Sequence, residues 1–160
     1  MKLSKLHEMI YQDLDSYLVP KKIGSIVQSL LGWSPKYDPG IPHRADAANK
    51  WIVSGGVKFD KVVLHQISEV IKGNKPAALV QGIYIPILNK YGLAHVNMPN
   101  SEDNVITVTM DNLYLLEYFR FAYGFDMDSA ARHYMLGIGL GYPEDEVLKF
   151  IELEEPPIRY

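Results

Sequence analysis

Between Tyr37 and Trp51 the chain gathers Tyr37, Asp38, His43, Arg44, Asp46, Lys50 and Trp51, mixing aromatic, acidic, basic and imidazole groups within fifteen residues. Most of them fall in or just after Gly32–Arg44, where three prolines and two glycines predict an ordered, irregular loop. Proline lowers the entropy lost when such groups are held in place, and loops of this kind often present binding groups. Arg44 can grip a carboxylate or phosphate through two parallel donors, which a solvated lysine does less well. His43 stands beside it, and Asp46 could orient either. The chemistry this suggests is capture of a partner or anionic ligand by Tyr37, His43, Arg44, Asp46, Lys50 and Trp51. The same residues also admit a structural account, in which Asp46 caps a helix starting at Ala47 while Trp33 and Trp51 anchor the loop to the core.

Catalytic arrangements find less support elsewhere. His7, His43, His65, His95 and His133 contain no pair at i, i+3 or i, i+4, and no His-Glu-x-x-His motif supplies a helix-borne zinc site. The absence of cysteine excludes disulfides, thiolate metal sites and thiol nucleophiles. No Gly-x-Ser-x-Gly elbow occurs. Gly137-Ile138-Gly139-Leu140-Gly141 resembles a phosphate loop only superficially, because it follows a helix and has no neighbouring lysine; it reads as a helix stop. Arg132-His133 and His65 read as solvated helix faces. We therefore expect no catalytic residue, metal or cofactor, with a hydrolase or transferase using the His43 loop kept as an alternative.

The elements that must position these groups begin with helical patterns. Leu3, Leu6, Ile10, Leu14, Tyr17 and Leu18 form one stripe ending before Pro20, and Ile23, Ile26, Val27 and Leu30 form another over Lys21 to Leu31. Ala45 to Val53 reads as a short helix stopped by Ser54-Gly55-Gly56. Phe59, Val62, Val63, Ile67, Val70 and Ile71 make a further stripe, which Gly73 ends. The clearest periodicity lies C-terminal. Asn112 to Phe125 is apolar on all sides except Glu117 and Arg120, as a centrally packed helix reads, with Asp111 as cap and Gly124 as stop. Met127, Ala130, Ala131, Tyr134, Met135 and Ile138 follow at helical spacing until Gly139 and Gly141. Pro143 and Glu144-Asp145-Glu146 then open a third helix, acids at the positive end of its dipole.

Residues 74–112 are mixed. Lys75 to Leu79 looks like a helix start, and Ile83 to Leu88 is β-rich but carries Pro86, which suits neither a helix interior nor a central strand. Alternation in Ala94, Val96, Met98 and in Ile106, Val108, Met110, either side of Pro99 to Asn104, predicts a β-hairpin over about 94–110. The fold class is thus α+β and mostly helical: one helix-rich domain over 1–160, with a single hairpin and a C-terminal three-helix stretch.

Ile67 to Ile71, a short turn, Lys75 to Lys90, then Tyr91-Gly92-Leu93-Ala94 and a hairpin resemble the winged helix-turn-helix of bacterial regulators, over roughly residues 58 to 111. The resemblance implies a recognition helix ending at Leu88 to Leu93 and a wing at Ala94 to Met110. The chain departs from that pattern where DNA would be read. Ile83, Pro86 and Ile87 would face the groove, and the wing offers Glu102 and Asp103 with no Arg or Lys. The last helix, with Glu144, Asp145, Glu146 and Glu152 against Lys149, is equally unsuited to phosphate. A winged-helix-like, nucleic-acid-binding regulator is therefore the disfavoured alternative.

Composition bounds the rest. The 160 residues are 48% hydrophobic and 22% charged, as in an ordinary globular domain. No signal-peptide core or membrane-length apolar run is present, which leads us to expect a soluble cytoplasmic protein. Residues 1–80 hold eleven Lys or Arg against seven Asp or Glu, and residues 81–160 hold five against twelve. Such polarity suits either an acidic partner or mutual neutralisation of the two halves. The reading is a small cytoplasmic regulatory or protein-interaction protein without catalytic activity, with a protein partner, no membrane, and a homo-oligomer compatible with it.

Overall fold

The computed structural model describes Glu8, Ile10, residues 20–34, Lys36, and residues 51–99, 103–126 and 129–153. The expected helix over 3–18 lies outside the described residues apart from Glu8 and Ile10, the latter buried in the core. Among the described residues there are six α-helices and two small antiparallel sheets, a helix-rich α+β fold.

Helix α1 (Lys21–Leu31) buries Ile23, Ile26, Val27 and Leu30, the stripe that its spacing predicts. Strands β1 (Trp51–Ser54) and β2 (Val57–Asp60) form a two-stranded ribbon. The short helix expected through Val53 is therefore overturned at residues 51–53. Gly55 and Gly56, at φ +59° and +78°, do not stop a helix but make the tight turn of a hairpin. Two successive positive φ values are what a two-residue turn matching the strand twist requires. Phe59, expected on the next helix, lies in β2 instead. Asp60 then caps α2 (Lys61–Ile71), its carboxylate accepting from the Val62 N–H at 2.8 Å.

The expected helix start at Lys75 to Leu79 is also overturned, since Ala78–Gln81 is strand β3. Pro76 stands just before it, where no ladder donor is lost. After a 3₁₀ turn at Gly82–Tyr84, Pro86 falls in the first turn of α3 (Ile85–Lys90), the one part of a helix that tolerates it. Strands β4 (Ala94–Asn97) and β5 (Asn104–Val108) form the predicted hairpin, and β3 adds to it in the order β3-β5-β4. Central β5 is buried at four of five residues. Val105 faces a core of Ile67, Val70, Tyr84 and Leu88 from α2 to α3, while Ile106 and Val108 face the larger core. Both faces of the sheet are covered, which is why Val105 is apolar as well as Ile106 and Val108 on the opposite face.

The larger core is built by α1 with the C-terminal three helices: α4 (Tyr114–Ala122), α5 (Ala130–Gly139) and α6 (Glu144–Leu153). Asp111 does not cap α4; it lies in a 3₁₀ turn, Met110–Asn112, that leads into the helix. Ser129 does cap α5, accepting from the Ala131 N–H at 3.2 Å. The helices approach closely where α5 has no side chain. A Cβ on Gly137 would lie 2.7 Å from Val147, and one on Gly139 would lie 2.6 Å from Phe119. Those two glycines are packing surfaces, and the helix stop belongs to Gly141 at φ +91°.

Candidate functional site

Of the six binding residues expected from sequence, Tyr37, His43, Arg44, Asp46 and Lys50 lie outside the described residues. Trp51 is described, and it does not anchor a loop to the core: it opens β1 with 47% of its surface exposed. Trp33 does anchor, packing against the larger core while its Nε1–H donates to the Gly73 carbonyl at 3.1 Å. The two tryptophans therefore have opposite roles.

Every residue of β1 is exposed, with Ile52 at 41% and Val53 at 68%, and Val57 across the turn is exposed too. The register pairs Trp51 with Asp60, Ile52 with Phe59, Val53 with Lys58 and Ser54 with Val57. Opposed residues share a face. Phe59 leans on the Tyr84 ring, centroids 5.4 Å apart, so its face is turned toward the domain. The other face, with Trp51, Val53 and Lys58, is turned to solvent, and the Lys58 ammonium sits 4.8 Å from the centre of the indole. The ribbon is held to the domain through Phe59 and through Asp60, whose N–H donates to the Tyr84 hydroxyl at 2.8 Å.

A second cluster forms where the end of α1, the turn after α2 and the turn between α5 and α6 converge. That second turn is tightly held: Gly73 adopts φ +82°, and the N–H groups of Asn74 and Lys75 both donate to the Glu69 carbonyl. Pro76 packs against Gly141, where a Cβ would come within 2.6 Å. Lys75 is thereby driven inward to 1% exposure. Its Nζ donates to the Leu140 carbonyl at 2.5 Å and lies 4.7 Å from the centre of the Tyr142 ring. Burial pushes this amine from its ordinary 10.5 down to about 7, and pushes the Tyr142 hydroxyl up. Nearby, the Tyr134 hydroxyl donates to the Glu144 carboxylate. The Lys36 Nζ donates to the Leu30 carbonyl at 2.7 Å, closing the α1 end; burial lowers its pKa, while the charge of Glu144 works the other way. An amine near neutrality is a nucleophile in principle. Lys75, however, is enclosed and spends a donor on a main-chain carbonyl, so its arrangement ties β3 to the α5–α6 turn.

Two further expectations are corrected. His133, read as solvated, is buried on α5 among the helices. Its neighbour Arg132 lies over the Tyr123 ring at 4.5 Å and donates to the Phe125 carbonyl at 3.2 Å, so this side of α5 packs on the chain that precedes it. His65 pairs with Glu69 at 3.4 Å and is only half-exposed. Among the described residues no helix is long and apolar enough to cross a membrane. The ribbon had a signal in the sequence: Gly-Gly between two β-rich runs is a hairpin signature. Lys75 had none, because its burial depends on Leu140 and Tyr142, sixty-five residues and more along the chain. Compared with family models, curated proteins and solved structures, the chain matches none.

Proposed function

We propose that this chain is a non-catalytic, cytoplasmic protein-interaction domain, and that the β1–β2 ribbon is its docking surface. The observation that carries the reading is the exposure of Trp51, Ile52, Val53 and Val57 on one contiguous element. Large apolar and aromatic side chains grouped on a surface mark interaction sites, whereas single exposed ones need no explanation. Tryptophan is also the side chain most enriched among residues that dominate binding energy. The Lys75 amine is enclosed and donates to the Leu140 carbonyl, which suits a structural tie rather than contact with a substrate.

The test places the photo-reactive residue p-benzoylphenylalanine at position 53 and, as a control, at Met110, which is comparably exposed on a different element. In cell extract, irradiation should yield a defined protein adduct from position 53 and not from position 110. No adduct from 53, or the same pattern from both positions, overturns the reading. Retention on single-stranded DNA that fades steeply with salt and is lost with Lys58→Ala would instead assign the ribbon to nucleic acid, with Trp51 stacking on bases.

A further inference from the structure

We infer that β4 is a second docking surface, separate from the ribbon, and that it takes an extended segment of another protein in which apolar and acidic residues alternate. The hydrogen-bond phase of the three-stranded sheet decides which groups β4 presents. The Met98 N–H donates to the Asn104 carbonyl at 3.0 Å, so these two form a bonded pair just beyond Asn97 and Val105. Bonded and non-bonded pairs alternate along an antiparallel ladder. Val96–Ile106 and Ala94–Val108 are therefore bonded, while His95–Thr107 and Asn97–Val105 are not. The β3 side gives the same phase independently. There the Gly82 N–H donates to the Asp103 carbonyl at 3.0 Å, which makes Val80–Val105 and Ala78–Thr107 the bonded pairs. Val105 and Thr107 thus spend their main-chain groups on β3. The N–H and C=O of His95 and Asn97 point away from β5, at the edge of the sheet. Among the described residues no group bonds to them.

Edge strands are ordinarily guarded by charge, proline or a bulge. Ala94-His95-Val96-Asn97 has no lysine, no acid and no proline, and it pairs with β5 without a bulge. The alternating donors and acceptors of such an edge are matched by another extended backbone, the mode in which a peptide adds a strand to a sheet. The side chains of β4 then set the sequence of that peptide. Ala94 and Val96 lean on the larger core, so the residues opposite them should be apolar. His95 and Asn97 stand on the other face, and both carry N–H donors. Carboxylates opposite them would accept from both. The charge of the surroundings favours the same partner: α3, the turn after it and β4 carry Lys90 and His95 with no Asp or Glu. Asp103 is turned to the β3 side, where its carboxylate accepts from the Gly82 N–H at 3.1 Å, and Asp111 follows β5 past the Ala94 end. A second copy of the chain would instead bring His95 and Asn97 against each other, with no carboxylate for either.

The experiment uses the full chain and a fluorescein-labelled peptide, Thr-Val-Glu-Val-Glu-Val-Thr, titrated by fluorescence anisotropy. Saturable binding is expected. It should weaken by about tenfold or more when both glutamates become lysine, and likewise with His95→Glu in the protein, since like charges then stand opposite. Thermal unfolding checks that this variant remains folded. Backbone N-methylation of the two glutamates tests the same point on the unaltered chain: it keeps side chains and charge but removes the donors that face β4, and should abolish binding. Residue-resolved amide exchange locates the peptide. Binding should slow exchange at His95 and Asn97 and leave Val96, already bonded to Ile106, unchanged. No saturable binding, or equal binding of the N-methylated peptide, overturns the inference. Protection of Trp51 to Ser54 in place of His95 and Asn97 also overturns it, while the ribbon reading stands. Protection of His95 and Asn97 that grows with protein concentration in the absence of peptide assigns the edge to a second copy and overturns it equally. If the peptide protects β4 while position 53 captures nothing in extract, the ribbon reading falls and this one stands.

Discussion

In β1, Trp51, Ile52 and Val53 stand in water, whereas the ammonium-bearing Lys75 is sealed between a carbonyl and a tyrosine ring. Residue type alone would have placed these groups the other way round. What separates the two regions is the number of elements that converge on each. Lys75 lies where three turns meet, and Pro76 against Gly141 leaves it no path outward. Among the described residues the ribbon is held to the domain through Phe59 and Asp60, and most of its β1 surface is exposed. The buried cluster should therefore govern stability and the ribbon association, and substitutions in each can break that division.

The largest effect is expected at Tyr134, fully buried and bonded to Glu144. Tyr134→Asp buries a second carboxylate against the first and should cost roughly 4 kcal/mol or more in denaturant unfolding. Unchanged unfolding would mean that this face of α5 is not enclosed. Next comes Gly139→Ala, whose added methyl meets the Phe119 and Tyr118 rings. Overpacking of that kind costs about 1–3 kcal/mol, read as a lowered melting temperature.

Lys75 gives a pH-dependent test of intermediate size. Its folded pKa of about 7 lies below the 10.5 of the unfolded chain. Between those values the unfolded chain holds a proton that the folded chain has released, so stability should rise as pH increases from 7 and fall again on return. Below about 7 both states are protonated and the dependence flattens. Titration to pH 9.5 stays below the usual tyrosine pKa, near 10, so the buried hydroxyls do not intrude. Lys75→Met should remove the rise while changing stability at pH 7 by only about 1 kcal/mol, because the lost bond to Leu140 is offset by the lost desolvation of the charge. A slope that survives the substitution would assign it to another group.

The smallest stability effect is expected on the ribbon, where Val53→Lys should change unfolding by no more than about 0.5 kcal/mol. A cost of several kcal/mol there would show that the ribbon belongs to the core, and the contrast between the regions would collapse.

Local periodicity was enough to find α1, the hairpin of β4 and β5, and the C-terminal helices, because each carries its apolar side at fixed spacing over many residues. It also placed Tyr134 and Ile138 correctly on the buried side of α5. It failed on short elements. Trp51 to Ser54 is four residues long, too short for period 2 to outweigh the helical spacing around it, so Gly55-Gly56 reads as a helix stop although it makes a hairpin turn. Likewise β3 was hidden in Pro76 to Gln81, since a strand buried on both faces has no polar alternation to reveal it.

Sequence by itself determined which residues are apolar, where the long helices run, and that thiol chemistry is excluded. Tertiary structure decided which of those residues water reaches. Trp33 and Trp51 are the same side chain at either end of one stretch, yet one is fixed to the Gly73 carbonyl and the other opens an exposed strand. Their difference, like the burial of Lys75 and His133, depends on contacts with segments distant along the chain. Such contacts are a property of the packed arrangement, and no local pattern encodes them.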